Sequence, residues 1–443
     1  MRDDEREGLA TKVLAIAHDT GCEVIVSSTA MGLTRFTQNA IHQNVANADV
    51  SVRVRILEEG RSGVAATNAL DDASLEALVA RAAAIARLAP SDPEAPPLVR
   101  APHVAAPAGA FVAATADATP ERRATIAAEI IAASERASLW AAGYVTTSRT
   151  GITIANNAGT RTSFDGTTCG LNVKANGADA SGFAERYGND VAVLDGAAAG
   201  ARAAEKARTG ASPVAVEPGA WTVILEPAAF GELLSYLTTH FSAQAFDDGS
   251  SFLGRALGGT FGGANVTLSD DYADPLHAGM PFDYEGFPRA RLALLEAGIA
   301  ENIVTDARYA ARLRRPNTGH GLPAPSGSGP EPMHVVVAGG EKSLDRLIAE
   351  TQRGILVSRF WYIRPVDARK TIVTGMTRDG TFLIENGSIA HGVRNMRFNQ
   401  SILSALERCE FASEAVRTGG YSYSMVVPAV KIEGFRFTST TEF

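Results

Sequence analysis

Cys-Glu-Val-Ile-Val-Ser-Ser-Thr (22–29), then Thr-Arg-Phe-Thr-Gln-Asn-Ala (34–40), then the alternating Val-Arg-Val-Arg (52–55) decide how the N-terminal part of this chain folds. Runs rich in Val and Ile over Cys22–Ser27 and Ala48–Leu57 suit pleated strands. The order recurs further along, with strands at Tyr144–Ser148, Ile152–Asn157 and Thr162–Lys174. There Thr-Thr-Ser (146–148) and Ile-Ala-Asn-Asn-Ala-Gly-Thr-Arg (154–161) precede a second alternating stretch. We read two related sheet segments, each with helices beside it. Likeness of composition between two unrelated meanders is the competing reading.

Working outward, apolar residues at Leu9, Val13, Leu14 and Ile16 predict a helix over Asp4–His18. Asp71-Asp72-Ala73-Ser74 supplies an N-cap for a helix carrying Leu75, Leu78, Val79, Ala82, Ile85 and Ala86. That helix stops before Pro90, and six prolines between Pro90 and Pro107 predict an extended linker or strap. Thr119-Pro120-Glu121 opens a helix running to about Arg136, and another covers Gly196–Ala207. Beyond the turn at Val216–Gly219, a strand at Trp221–Leu225 leads into a helix from Pro227 to about Ala245. Short strands follow at Val266–Leu268, Leu292–Leu295, His334–Val337, Thr371–Met376, Thr381–Glu385 and Ser422–Val427, with helices at Ser343–Gln352 and Asn399–Arg408. Arg314–Pro332, rich in Pro, Gly and Ser, reads as a long exposed loop, a lid or a mobile segment, to be cut first near Arg314 or Arg315. The class is α+β. An N-terminal α/β segment (1–89) and a Pro-rich linker (90–110) precede a central α/β segment (111–215) and a β-rich C-terminal domain (216–443).

Length and composition bound the function. The 443 residues, 45% hydrophobic and 20% charged, are enough for several domains with cores of their own. Forty-one Lys and Arg against 49 Asp and Glu give a net charge of −8, without a block of five or more like charges, which argues against direct nucleic-acid contact. Cys22, Cys169 and Cys409 are odd in number and lie far apart, unlike a disulfide framework or a closed zinc site. No export signal and no run of eighteen apolar residues are present, so we expect a cytoplasmic protein away from membranes.

Motifs for catalysis are sparse. The helix after Pro227 carries one histidine, His240, where a zinc site built on a helix needs two. His277 lies near Asp270, Asp271 and Asp274 in a stretch that reads as a solvated loop. Gly-x-Ser-x-Gly is missing, Ser326-Gly327-Ser328-Gly329 reads as linker, and Cys409 sits in Leu-Glu-Arg-Cys-Glu-Phe, with acidic neighbours that disfavour a thiolate. Gly258–Gly263 lacks the Lys of a phosphate loop. Asp283 and Glu285 alternate in Pro-Phe-Asp-Tyr-Glu-Gly-Phe-Pro and so share one face. They fit an acid/base pair or, more simply, a turn with exposed carboxylates.

Seven fragments in register resemble the TldD/PmbA family. They are Thr-Arg-Phe-Thr-Gln-Asn-Ala-Ile-His-Gln-Asn (34–44), Ala-Ala-Thr-Asn (65–68), Gly-Ser-Ser-Phe-Leu-Gly-Arg (249–255), Val-Thr-Leu-Ser-Asp-Asp (266–271), Pro-Phe-Asp-Tyr-Glu-Gly-Phe-Pro (281–288), Asn-Thr-Gly-His (317–320) and Phe-Leu-Ile-Glu-Asn-Gly (382–387). The resemblance implies an N-terminal α/β region of two segments and a β-rich C-terminal domain. In that family the TldD-type subunit carries His-Glu-x-x-x-His on the helix before Gly-Ser-Ser, and the TldE (PmbA) type lacks it. Counting back from Gly249, those positions are Leu234, Ser235 and Thr239 here. His240 is one step out of register, about 100° around an α-helix. The resemblance therefore implies a zinc-less TldE-type subunit with no catalytic or metal-binding residues of its own and zinc in a TldD-type partner. The expected substrate is an unstructured peptide or a peptide-like natural-product precursor. Gly249, Ser250, Ser251, Arg255, Asp283, Glu285 and His320 are the candidate cavity-lining residues. Two alternatives stay open: an independent hydrolase using Asp283, Glu285, His277 and His320 in a homodimer, and an interaction protein that modulates gyrase.

Overall fold

Gln38 and Asn39 both take positive φ, 51° and 59°, as the two-residue turn of a tight hairpin requires. The turn joins β1 (Gly21–Thr37) to β2 (Ala40–Glu58), paired from Gly21 opposite Leu57 to Thr37 opposite Ala40. The two short strands expected here are thus the inner halves of one long hairpin. Its polar outer half pairs as well, because backbone donors and acceptors need partners whatever the side chains are. The computed structural model describes residues 1–18, 21–254, 257–419 and 424–441.

β3 (Arg61–Thr67) lies beside β2, and α1 (Asp3–Ile16) and α2 (Asp72–Leu88) cover these strands. Asp71 caps α2 by accepting from Ser74 N at 3.0 Å. The second segment adds α3 (Ala113–Ala116), α4 (Pro120–Arg136), β4 (Trp140–Asn156), β5 (Arg161–Asn176), β6 (Ser181–Gly188) and α5 (Gly196–Thr209). The stretches Tyr144–Ser148 and Ile152–Asn157 form the single strand β4. Strand order is β3-β2-β1-β4-β5-β6. Each half is three strands between two longer helices, and the halves meet at the antiparallel β1–β4 pair, Glu23 opposite Asn156 to Phe36 opposite Gly143. That symmetry is what a duplicated unit would build.

One face of this sheet carries the helices, with Val52, Val54 and Ile56 against Val13, Leu75 and Leu78, and Val145, Leu171 and Val173 against Ile126 and Ile130. Arg6 of α1 is fully buried. Its Nη2 lies 3.0 Å from Asp165 Oδ2 and its Nε donates to Thr153 Oγ1 at 3.2 Å. The other face presents Ile25, Ile152 and Ile154, and these pack on Phe282 from the C-terminal half. The linker is strapped down: Val99 O accepts from Asn156 Nδ2 and Thr160 Oγ1, both at 2.7 Å.

The C-terminal half begins with β7 (Gly219–Leu225), α6 (Pro227–Thr238), α7 (Ala243–Asp248), β8 (Leu268–Asp270), β9 (Leu292–Glu296) and β10 (Ile299–Ala300). α8 (Ala307–Leu313), β11 (Val335–Val337), α9 (Leu344–Ala349), β12 (Arg353–Asp367) and β13 (Ile372–Glu385) follow. β14 (Ser388–Gly392), β15 (Met396–Ser401), α10 (Ile402–Glu407), β16 (Cys409–Arg417) and β17 (Val426–Thr440) complete it. The main path is β10-β9-β8-β11-β17-β15-β13-β12-β7, and β7 also pairs with β17. Strands β17, β15, β13, β12 and β7 therefore close on themselves, which removes their edges. Phe360, Phe398, Phe435 and Phe437 fill the enclosed core, joined by Phe230, Leu233 and Leu237 of α6.

Several expectations change here. The strands expected at Thr371–Met376 and Thr381–Glu385 are one strand, β13, and the start of the helix expected at Asn399–Arg408 is the end of β15. The helix expected from Pro227 to Ala245 breaks at Thr238 into a 3-10 turn, Thr239–Phe241, before α7. Of the strand expected at Ser422–Val427, residues 422 and 423 lie outside the described residues. Among the described residues no helix is long and apolar enough to cross a membrane.

Candidate functional site

Pro281–Pro288 alternates as its sequence suggests, but both of its faces are covered. Phe282 packs with Tyr284 on the isoleucines of the N-terminal sheet, and Asp283 and Glu285 turn into the C-terminal half. Asp283 Oδ1 accepts from Glu285 N and Phe287 N, both at 2.9 Å, and Oδ2 accepts from Gly321 N at 2.8 Å. Glu285 Oε2 accepts from Ala307 N, the first residue of α8, at 2.9 Å. The exposed turn is thus corrected to a buried one, with Asp283 0% and Glu285 8% exposed. Burial pushes Asp283 up to about 6 against the pull of Arg289. Burial, then the charge of Asp283, pushes Glu285 up to about 8. Gly321 is needed where it stands, since a Cβ there would lie 2.8 Å from Glu285 Cγ and 3.0 Å from Asp283 Oδ2.

His320, next in the chain to Gly321, is 0% exposed. Its Nδ1 shares a hydrogen with Thr318 Oγ1 at 2.9 Å, and its Nε2 lies 3.2 Å from Asp270 Oδ1, too far off line for a good hydrogen bond. Asp270 Oδ2 accepts from Met333 N at 2.6 Å and His334 N at 2.8 Å. Burial opposes its charge, yet His320, His334 and Arg289 together hold the Asp270 carboxyl well below the usual range. Burial lowers His277, His320 and His334. His277, expected in a solvated loop, is 2% exposed, with Nε2 3.0 Å from Val335 O. A general acid or base must reach its substrate; this network instead ties β8, α8 and the 317–321 turn together.

Gly249, Ser250 and Ser251 lie elsewhere, at the end of α7. Gly249 ends that helix with φ +74°, Ser250 N donates to Asp248 Oδ1 at 2.8 Å, and Ser251 Oγ donates to His240 O at 2.8 Å. Arg255 lies outside the described residues. Ser250 lines a cleft of about 400 Å³. One wall comes from Tyr236, Thr239, His240, Ser242, Gln244 and Asp248, a second from Gly327, Ser328 and Glu331, and a third from Pro365 and Asp367 at the end of β12 with Thr371 just before β13. The Pro- and Gly-rich loop is therefore part of a wall, with His320, Gly321, Gly329 and Pro330 buried, and 314–316 at its start and 325–328 at its tip exposed.

His240 is placed differently from its expected register. Because the α-helix ends at Thr238 and tightens, His240 lines the cleft together with Thr239. Of the other counted positions, Leu234 is 1% exposed in the core, and Ser235 Oγ donates to Glu232 O at 2.7 Å. These residues do not fit a zinc ion, and among the described residues no three His, Cys, Asp or Glu side chains gather as metal ligands would. Tyr236, Gln244, Asp248, Glu331 and Asp367 went unnoticed in the sequence. The four-residue spacing of 236, 240 and 244 was the one available signal for them.

With this geometry in hand, the likeness to known proteins can be placed. Residues 218–439 match the PmbA/TldA metallopeptidase C-terminal domain, and residues 22–86 match PmbA/TldA metallopeptidase domain 1. No curated protein matches the chain. Among solved structures, a candidate modulator of a DNA gyrase from Thermotoga maritima superposes with a TM-score of 0.88 at 18% identity, covering 98% of this chain and 100% of that one. TldE from Thermococcus kodakarensis gives 0.87 at 20% identity, covering 98% and 99%. A candidate modulator of DNA gyrase from Bacteroides thetaiotaomicron gives 0.85 at 19% identity, covering 99% and 100%. At these identities the structures speak for the fold. The two matched domains speak for descent, and the chain belongs to the TldD/PmbA family.

Proposed function

We propose that this chain is the non-catalytic half of a two-subunit metallopeptidase. It would pair with a TldD-type subunit that holds the zinc and shape the cavity where unstructured peptides, or peptide-like natural-product precursors, are cut. The observation that carries this reading is the donor set on α6 and the turn after it: Leu234 in the core, Ser235 bonded to its own helix and Thr239 in place of imidazole ligands and a general base. The fold it shares with the Thermococcus TldE supports the same reading. In this proposal Gly249, Ser250, Ser251 and Arg255 border the cavity, and Asp283, Glu285 and His320 brace its wall. We place the protein in the cytoplasm, in keeping with three cysteines that form no disulfide.

The independent hydrolase would need Asp283, Glu285, His277 and His320 open to substrate, and all four are buried. The gyrase connection in the descriptions of two similar structures bears on a protein target, since a net charge of −8 argues against direct DNA contact. Copurification tests the pairing. A tagged copy of this chain should bring down, in one-to-one ratio, a protein carrying His-Glu-x-x-x-His, with zinc following that partner. Stoichiometric zinc in the isolated chain would defeat the reading.

A further inference from the structure

We propose that the cavity between the β5–β6 turn, the end of α5 and the middle of β13 is a receptor for a carboxylate carried on a peptide. The inference rests on the reading of this chain as a peptide-handling subunit and adds a group that the subunit recognises.

The backbone of β13 supplies the first observation. Val357 pairs with Thr381 and Arg359 with Arg378, so Asp379 and Gly380 together oppose Ser358. Two residues against one make a bulge, and both take positive φ, 52° and 127°. That conformation is strained at Asp379, and Gly380 is required beside it, since a Cβ there would lie 2.5 Å from Ser358 Oγ. In a regular strand Arg378 and Asp379 would face opposite sides; here both line one cavity. Asp379 is 5% exposed, and its carboxylate accepts from Ser181 Oγ at 2.6 Å and lies 2.9 Å from Lys174 Nζ, both on the N-terminal sheet. The two walls are thereby tied together, and the charges of Asp379 and Lys174 offset each other.

The second observation is what stays unpaired. Arg378 and Arg394 line the same cavity, and among the described residues neither side chain has a carboxylate within 4 Å or donates a hydrogen bond. The Arg378 guanidinium carbon lies 5.4 Å from the centre of the Trp361 ring, a contact that steadies the group and leaves its N–H fork open. Thr381 also lines the cavity, is 4% exposed and has no partner for its Oγ1, a buried polar group still to be satisfied. Asp179, on the opposite wall, accepts from Ser212 N at 3.0 Å and has no cation within 4 Å among the described residues. Lys174, Arg378 and Arg394 against Asp179 and Asp379 leave the described lining with one net positive charge. A monoanion matches that charge, and a dianionic phosphate exceeds it. A carboxylate accepts two N–H groups of a guanidinium side by side, whereas an ammonium would meet two unpaired arginines. The volume of about 880 Å³ holds far more than a bare ion. A carboxylate with a chain attached therefore fits. The C-terminus of a peptide and an Asp or Glu side chain share this chemistry.

The experiment measures binding of short peptides, each with a dye at its N-terminus, to the full-length protein by fluorescence anisotropy. One sequence without acidic side chains is compared as the C-terminal acid, as the C-terminal amide, and as the amide with one internal glutamate. The acid should bind at least about tenfold more tightly than the amide, as the loss of charge-assisted hydrogen bonds requires. Recovery by the internal glutamate would identify a side-chain carboxylate as an accepted source, and its failure would restrict the site to C-termini. Arg394→Gln, at an exposed position that the fold does not need, should narrow the gap between acid and amide several-fold, and Arg378→Gln/Arg394→Gln should close it. Equal binding of acid and amide to the unaltered protein, or a preference for the acid that survives in both variants, overturns this inference and leaves the peptide-handling reading standing. Inorganic phosphate that displaces the acid peptide where acetate at the same ionic strength does not would make the cavity a phosphate site and also overturn it. Failure of every peptide to bind overturns it as well, and the subunit pairing is then decided separately by copurification with the zinc-bearing partner.

Discussion

Glu285 is held in a place that charges reluctantly. Burial, then Asp283, raises it from its ordinary 4.5 to about 8, so from about pH 5 to 8 the folded protein keeps a proton that the unfolded chain has released. The stability this contributes is fully present below the ordinary carboxylate range and is lost as the pH rises through the folded value. Glu285 should therefore pull the melting temperature down between pH 5 and pH 8, against the rise that His277, His320 and His334 contribute below neutrality. Glu285→Gln keeps an acceptor for Ala307 N without the charge. It should remove that pull and raise the melting temperature at pH 8 by about 2 °C or more. Thermal unfolding at the two pH values checks this, and an identical slope in the variant would mean that the carboxylate reaches water. The alternation of Asp283 and Glu285 was legible in the sequence, and their burial was not. What covers them, Gly321 and Ala307, comes from chain more than twenty residues away, which local patterning does not report.

At the level of elements, helices with their own caps were readable, as the segments opened by Asp71 and by Thr119-Pro120 show. Their signals lie within a few residues of each other. Long strands were not, because the polar outer half of the β1–β2 hairpin and the end of β12, with Trp361 opposite Met376 and Arg364 opposite Thr374, pair through their backbone while their side chains reach solvent. The 314–332 loop shows the same limit. Its composition suggested freedom along its whole length, yet Thr318 N donates to Thr305 Oγ1 at 3.0 Å and Arg53 Nη1 donates to Ala324 O at 2.7 Å. Arg315 stacks over Phe246 at 5.6 Å. Proteolysis should therefore begin at 325–328 rather than at Arg314 or Arg315. A broad-specificity protease should cut the tip before trypsin cuts either arginine, as mass spectrometry of the fragments would show. Early tryptic cleavage at Arg314 would mean that the anchored part opens on its own.

For the whole molecule, the N-terminal sheet and the closed C-terminal strands meet through Phe282 and the carboxylates behind it. That leaves the α6–α7 cleft, walled by loop 327–331, as a polar recess beside a helix with Leu234 and Ser235 at the counted positions. In the function proposed above, such a recess would gain a catalytic purpose only beside another subunit. A stable pairing should bury at least about 1,200 Å², and the enclosure should admit extended peptides and exclude folded proteins. The decisive measurement is hydrolysis of a disordered protein by this chain alone, by a TldD-type partner alone and by the mixture, each with and without a zinc chelator. The account predicts little activity from either chain alone, rapid cleavage by the mixture and its loss with chelator. Cleavage by this chain alone at the mixture's rate, persisting with chelator, would contradict it.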